Sequence, residues 1–257
     1  MTSYLEGLFA LKGRIAVVTG GSSGIGKAIA RALAGAGASV VIVARQAAAL
    51  DQAVAEIRAA GGEAGRVSAD LGDRTEIGPA CDRIEAAFGA PDILVNAAGV
   101  NIRPPLHELT AAEWDRSLEL NLTAPFLIGQ RFGPAMASQG WGRIINVASQ
   151  QAIRAFGNSG GYGASKGGLV SLTRSQAEAW SASGVCCNAL APGFVATTMT
   201  APVASDPIRS AALAARTMIG RNGVPEDFEG IAVFLASNAS GYVTGQLICV
   251  DGGFSAT

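Results

Sequence analysis

Along the chain, short runs that are apolar at nearly every position alternate with longer stretches whose apolar residues recur at three- and four-residue steps. The continuous runs are RIAVVT (14–19), SVVIVA (39–44), DILVN (92–96), RIINVA (143–148), VCCNALA (185–191) and QLICV (246–250), with a weaker one at AGRVSA (64–69). A strand that faces water on one side alternates apolar with polar residues. These runs do not alternate, so both faces of the sheet they build must be covered, as in a parallel sheet. Helical patterns fall between them, near 24–36, 46–60, 74–88, 111–138, 162–183 and 225–237. The alternation predicts an α/β fold: a Rossmann-like, doubly wound, mainly parallel seven-stranded sheet with helices on both faces. No linker, low-complexity run or internal repeat divides the chain, so 1–257 reads as one domain. One stretch breaks the rhythm. At 199–220 a helical pattern stands without strands beside it, and an insertion after a strand often covers a site. It is a candidate substrate lid.

Composition narrows the function. Apolar residues make up 49% and charged residues 15%, which suits a large core or further surface hidden in an oligomer. A formal net charge of −1 leaves no electrostatic footprint for nucleic acid. No apolar run approaches the roughly 20 residues of a membrane span. The start, MTSYLEGLFALKGR, lacks the basic opening and apolar stretch of a secretory signal, so the expected location is cytoplasmic. Cys81, Cys186, Cys187 and Cys249 lack metal-ligand spacing and read as buried, reduced thiols. The lone histidine, His107, cannot build a metal site or a Ser-His-Asp triad, and reads as peripheral.

The first apolar run is followed at once by TGGSSGIG, Thr19 to Gly26. Glycines at a strand-to-helix turn let the backbone turn tightly and approach a diphosphate, while the next helix offers free N–H groups and a positive dipole end. Gly20, Ser22, Ser23, Gly24, Ile25 and Gly26 are therefore candidate dinucleotide contacts. The second run ends in Ala44 and Arg45, where NAD-binding sheets commonly carry an acid that grips the ribose. A guanidinium there suits a 2′-phosphate and favours NADP(H) over NAD(H). Asp70, with Leu71, follows the third run and is placed for the adenine. Asn96, Ala97 and Gly99 of NAAG follow the fourth, where small residues let the chain pass close to the cofactor.

YGASK places Tyr162 one helical turn before Lys166. Residues at i and i+4 share a helix face, and an ammonium about 4 Å from a phenolate favours ionisation by about 4 kcal/mol at an effective dielectric near 20. That would bring a tyrosine from about 10 towards 7, fit for proton exchange at neutral pH.

Taken in order, TGGSSGIG, NAAG, the asparagine of LELNL, Ser149, YGASK and APG resemble the single-domain branch of the short-chain dehydrogenase/reductase family, over about residues 8–254. The resemblance implies a catalytic tetrad of Asn121, Ser149, Tyr162 and Lys166. Tyr162 exchanges the proton, Ser149 donates to the substrate oxygen, Lys166 lowers the tyrosine pKa and holds the nicotinamide ribose, and Asn121 holds a water that links Lys166 to solvent. It also implies that Pro192, Gly193, Val195 and Thr197 orient the nicotinamide. LKGRIAVVTGG, MIGRNGVPEDF and VTGQLICVDGGF are most similar to gluconate 5-dehydrogenases and other sugar-acid or polyol dehydrogenases, a neighbourhood that grades into 3-oxoacyl-carrier-protein reductases and broad ketone reductases. A non-catalytic NADP(H) sensor is the remote alternative. Such members tend to lose the tyrosine or lysine, and both are present here.

Among candidate substrate contacts, Arg103 in NIRPP can meet a carboxylate bidentately; Gln150 and Arg154 follow the catalytic serine. No dense basic cluster offers a dock for an acidic carrier protein, so a small soluble substrate is expected. Small residues at Ala164, Gly167, Gly168, Ser171 and Ser175 predict a helix face for a second subunit, with Leu169, Leu172, Ala177 and Trp180 covering the chain's own sheet. The resemblance implies a homotetramer.

Overall fold

The computed structural model describes residues 3–256. Seven strands form one parallel sheet: β1 (Ile15–Thr19), β2 (Ser39–Ala44), β3 (Glu63–Ser68), β4 (Ile93–Asn96), β5 (Gly142–Val147), β6 (Val185–Pro192) and β7 (Leu247–Val250), in the order β3-β2-β1-β4-β5-β6-β7. The order reverses between β1 and β4, and a crevice opens at such a point beyond the carboxyl ends of the strands. The ten α-helices of the described residues are α1 (Tyr4–Phe9), α2 (Gly24–Gly35), α3 (Ala47–Ala59), α4 (Arg74–Phe88), α5 (Ala111–Leu118), α6 (Ala124–Ser138), α7 (Gly160–Trp180), α8 (Ala201–Ala204), α9 (Pro207–Ala214) and α10 (Glu229–Ala236).

The unbroken apolar runs are explained by two cores. Val18, Val40, Ile42, Ile93 and Val95 face one side, under Ile29 and Leu33 of α2 and Leu235 of α10. Val17, Val41, Leu94 and Ile144 face the other, under Ile84 of α4 and Ile128, Phe132 and Met136 of α6. Only β3 alternates exposed with buried positions, as an edge strand can.

Three expectations are corrected. The single helix over 111–138 is interrupted by a π turn at Glu119–Thr123, which rotates the side chains that follow and turns Asn121 fully inward. Cys249 is exposed, because β7 is the other edge; Cys81, Cys186 and Cys187 are buried. Gly168 does not spare room for a second subunit: a Cβ there would lie 2.8 Å from Leu122 Cδ2 of the same chain. The helix α1 had no sequence signal beyond Ser3 and Glu6, whose mutual capping bonds hold six residues.

Candidate active site

The crevice is a cavity of about 780 Å³. Its floor is the β1–α2 turn. Gly20 has φ +69°, and a Cβ on Gly26 would fall 2.4 Å from the Gly20 carbonyl oxygen, so only glycine at both positions lets the turn close. Ser23 caps α2 without a side-chain hydrogen bond, whereas Asp73 and Thr110 satisfy the first-turn N–H groups of α4 and α5. The first N–H groups of α2 are thus left for an anion. A diphosphate fits this cradle. Ser22, Gly24 and Ile25 line the same cavity.

Arg45, Asp70 and Leu71 line one end. The Arg45 guanidinium lies 3.7 Å from the Asp70 carboxylate, and both side chains are largely exposed. Ala97 lies close to Gly20, Thr197 close to Gly24 and Gly99 close to Lys166, while Pro192, Gly193 and Val195 line the same cavity. Thr19, whose part the motifs do not show, ties these walls together. Its hydroxyl accepts from the backbone N–H groups of Ala97 and Ala98, both at 3.1 Å, and donates to the Val95 carbonyl at 3.4 Å.

Asn96 requires a correction. Its amide does not line the cavity but donates from Nδ2 to Asn146 Oδ1 at 2.8 Å, and Asn146 in turn donates to Thr173 and Gln176. It braces β4 against β5 and α7.

Ser149, Tyr162 and Lys166 meet at the other end of the cavity. Lys166 Nζ donates to the Val147 carbonyl at 2.7 Å and stands 5.9 Å from the centre of the Tyr162 ring. Burial pushes the amine down to about 8. Burial also raises the Tyr162 phenol, against the pull of a hydrogen bond from Ser149 and the charge of Arg103. The expected lysine-driven fall of the phenol is therefore not what sets it: burial dominates, opposed by Ser149 and Arg103, and the lysine cation is anchored on the Val147 carbonyl. Asn121 Oδ1 accepts from the Val100 N–H at 2.8 Å, while Nδ2 donates to the Val100 carbonyl and to Ser165 Oγ, both at 3.0 Å. Both Nδ2 hydrogens are committed within the protein.

Arg103 is outside the cavity lining, although its charge and that of Tyr162 act on each other. It donates from Nη2 to Asn158 Oδ1 at 2.5 Å, and burial together with the charge of Arg209 lowers its hold on its proton, opposed by Tyr162. Arg154 is corrected away from the substrate: Nη2 donates at 2.6 Å to the Ser255 carbonyl, binding the loop after Ser149 to the C-terminal turn. Gln150 is buried outside the cavity lining, with Oε1 unpartnered. His107 is exposed beside Glu108. The segment 198–200, just ahead of α8 and α9, lines the cavity as well.

A glycine cradle at the reversal of a parallel sheet, opening onto serine, tyrosine and lysine, defines a nucleotide-dependent dehydrogenase. The family model described as enoyl-(acyl carrier protein) reductase matches residues 20–255, and the chain belongs to the short-chain dehydrogenase/reductase family, as an NAD(P)-dependent oxidoreductase of alcohols and ketones. Gluconate 5-dehydrogenase of Gluconobacter oxydans (strain 621H) is 40% identical over 248 residues, 96% of this chain and 97% of that one. Cis-4-hydroxycyclohexanecarboxylate dehydrogenase of Sinomonas cyclohexanicum is 43% identical over 246 residues, 95% and 97% of the two chains. The solved gluconate 5-dehydrogenase of Burkholderia cenocepacia J2315, in complex with NADP and tartrate, superposes with a TM-score of 0.94 at 36% identity, covering 99% of this chain and 100% of that one.

Proposed function

We propose that the protein moves a hydride between NADP(H), in preference to NAD(H), and a ketone or secondary alcohol of a sugar acid, with 5-ketogluconate and gluconate as the reference pair. The observation that carries the acid is Arg103: a guanidinium whose charge reaches the Tyr162 phenol, with no carboxylate at ion-pair distance among the described residues. The three relatives support it, since two are named for carboxylate substrates and the solved one holds tartrate. The NADP in that structure likewise supports the reading of Arg45. An exposed pair such as Arg45–Asp70 is worth little, so a 2′-phosphate can recruit the guanidinium.

In this reading the β1–α2 turn and the open N-terminus of α2 hold the diphosphate, Asp70 and Leu71 flank the adenine, and Pro192, Gly193, Val195 and Thr197 orient the nicotinamide. When bound, the cofactor supplies or accepts the hydride. Tyr162, protonated at neutral pH because it is buried, gives its Oη proton to the substrate oxygen in reduction and takes it back in oxidation. Ser149 donates to the same oxygen as charge develops there. The charge of Arg103 eases the phenolate left behind. Lys166, with its amine near 8, is poised to return a proton. Asn121 acts by position, clamping Val100 and Ser165. The segment 199–220 closes over the substrate, and the working form is a homotetramer.

Steady-state rates with 5-ketogluconate, an acetoacetyl thioester and a simple ketone, each with NADPH and NADH, test the proposal. NADPH with 5-ketogluconate should be the best pair. Arg103→Leu should raise KM for that acid about tenfold or more, the scale of a lost charge-assisted hydrogen bond, and barely change it for the simple ketone. Arg45→Asp should weaken NADPH far more than NADH. A wild-type enzyme that prefers NADH, or handles the neutral ketone best, would sink it.

A further inference from the structure

Between NAAG and Arg103 the backbone is held unusually firmly for a loop. Asn121 takes both the N–H and the carbonyl of Val100, so the residue that follows is presented in a fixed place. That residue is Asn101, which lines the cavity. The segment runs close to the reacting end: a Cβ on Gly99 would fall 3.6 Å from Lys166 Nζ. Asn101 Oδ1 is nevertheless buried without a hydrogen-bond partner. A buried acceptor left unpaired costs about 1–3 kcal/mol, and buried side-chain polar atoms are as a rule paired. Behind the lining, both amide groups of Asn121 and of Asn146 are bonded, while Asn96 and Gln150 each leave a buried oxygen unpartnered; of the unpartnered amides among the described residues only that of Asn101 belongs to a residue lining the cavity. No hydrogen bond restrains Asn101 about its second side-chain torsion, a broad rotor in any asparagine. Rotation about that torsion exchanges the amide oxygen and nitrogen, and with them the acceptor and the donor that the residue can offer.

We propose that Asn101 is a specificity-determining residue that pairs with a hydroxyl on the substrate chain beside the reacting carbon. A hydroxyl both donates and accepts, so it matches either end of the amide. A site with an unpaired polar group discriminates against analogues that lack the matching hydroxyl, because binding them leaves the group unsatisfied. The inference rests on the sugar-acid reading for its substrate class and narrows it. A polyhydroxy chain satisfies Asn101, whereas a ring acid whose only hydroxyl is the reacting one leaves it unpaired.

The test uses two ketones without a carboxylate, 2-butanone and 1-hydroxy-2-butanone, with NADPH as reductant. The wild-type enzyme should favour the hydroxyketone by about tenfold or more in kcat/KM, the scale of one buried hydrogen bond. Asn101→Leu keeps the branched heavy-atom skeleton and removes the amide. It should bring that ratio close to one by lowering the hydroxyketone alone, with NADPH affinity, followed by fluorescence titration, unchanged. Asn101→Gln should restore part of the preference. Asn101→Ala repeats the comparison if leucine disturbs the cavity. A wild-type enzyme indifferent to the hydroxyl, or a leucine variant that loses both ketones equally, overturns the proposal. Neither ketone bears an acid, so failure of 5-ketogluconate as a substrate leaves this outcome intact, and the reverse also holds.

Discussion

Tyr162 and Lys166 share one face of α7, and burial acts on them in opposite senses. The phenol keeps its proton more firmly and the ammonium less so. Tyr162→Phe retains the ring and loses the proton carrier; turnover should fall about a thousandfold, within the usual range for an acid–base group, with NADPH binding kept. A variant with wild-type turnover would refute the role. Lys166 gives a pH signature. Its amine titrates near 8 when folded and about 10.4 when unfolded. Between those values the unfolded chain binds more protons, so stability rises with pH across that window. At about 1.4 kcal/mol for each pKa unit the gain is on the order of 3 kcal/mol. Thermal midpoints from pH 7.5 to 10 should therefore climb for the wild type relative to Lys166→Met, and parallel curves would exclude the effect. At this scale the motifs revealed which residues to examine but not where their side chains turn. Asn96 bonds a residue 50 positions on and Arg154 one 101 positions on, distances that no local pattern reports.

Among the elements that line the cavity, the β1–α2 turn is the least tolerant. Gly26→Ala would set a methyl 2.4 Å from the Gly20 carbonyl oxygen, which neither backbone can yield without opening the cradle. NADPH affinity should drop at least about tenfold, since the N–H groups of α2 lose their aim; an unchanged dissociation constant would show the turn to be slack. The strand runs were legible to within a residue or two because a strand buried on both faces shows as unbroken hydrophobicity, and even weakly patterned β3 falls at Glu63–Ser68. The π turn was not legible. One extra residue in a helical ladder barely disturbs the three- and four-residue spacing of its neighbours, yet here it sets the direction of Asn121. Asn101 escaped for a different reason: its significance lies in a hydrogen bond it does not make.

For the molecule as a whole, the small residues of α7 carry less of the assembly than their spacing implied. Leu122 fills the space above Gly168, so Gly168→Trp would wreck the subunit before it tested any contact between subunits. Trp114 on α5 and Phe126 on α6 remain 39% and 43% exposed, and they give the proposed tetramer an apolar contact face. Phe126→Glu puts a charge on that face. It should shift light scattering from tetramer to smaller species, with a thermal midpoint lower by several degrees as bound subunits are lost. A wild-type chain that is a stable, active monomer would end that reading. The strand order has a consequence during synthesis. Strand β2 can join β1 as soon as both have left the ribosome, whereas the other edge of β1 waits for β4. At about 5–20 residues per second the wait lasts on the order of seconds. Throughout it, Ala16 to Thr19 offer an unpaired apolar edge of the kind that recruits strands from other chains. Chaperone protection of the nascent chain should therefore matter most while the segment between Ser68 and Ile93 is being made.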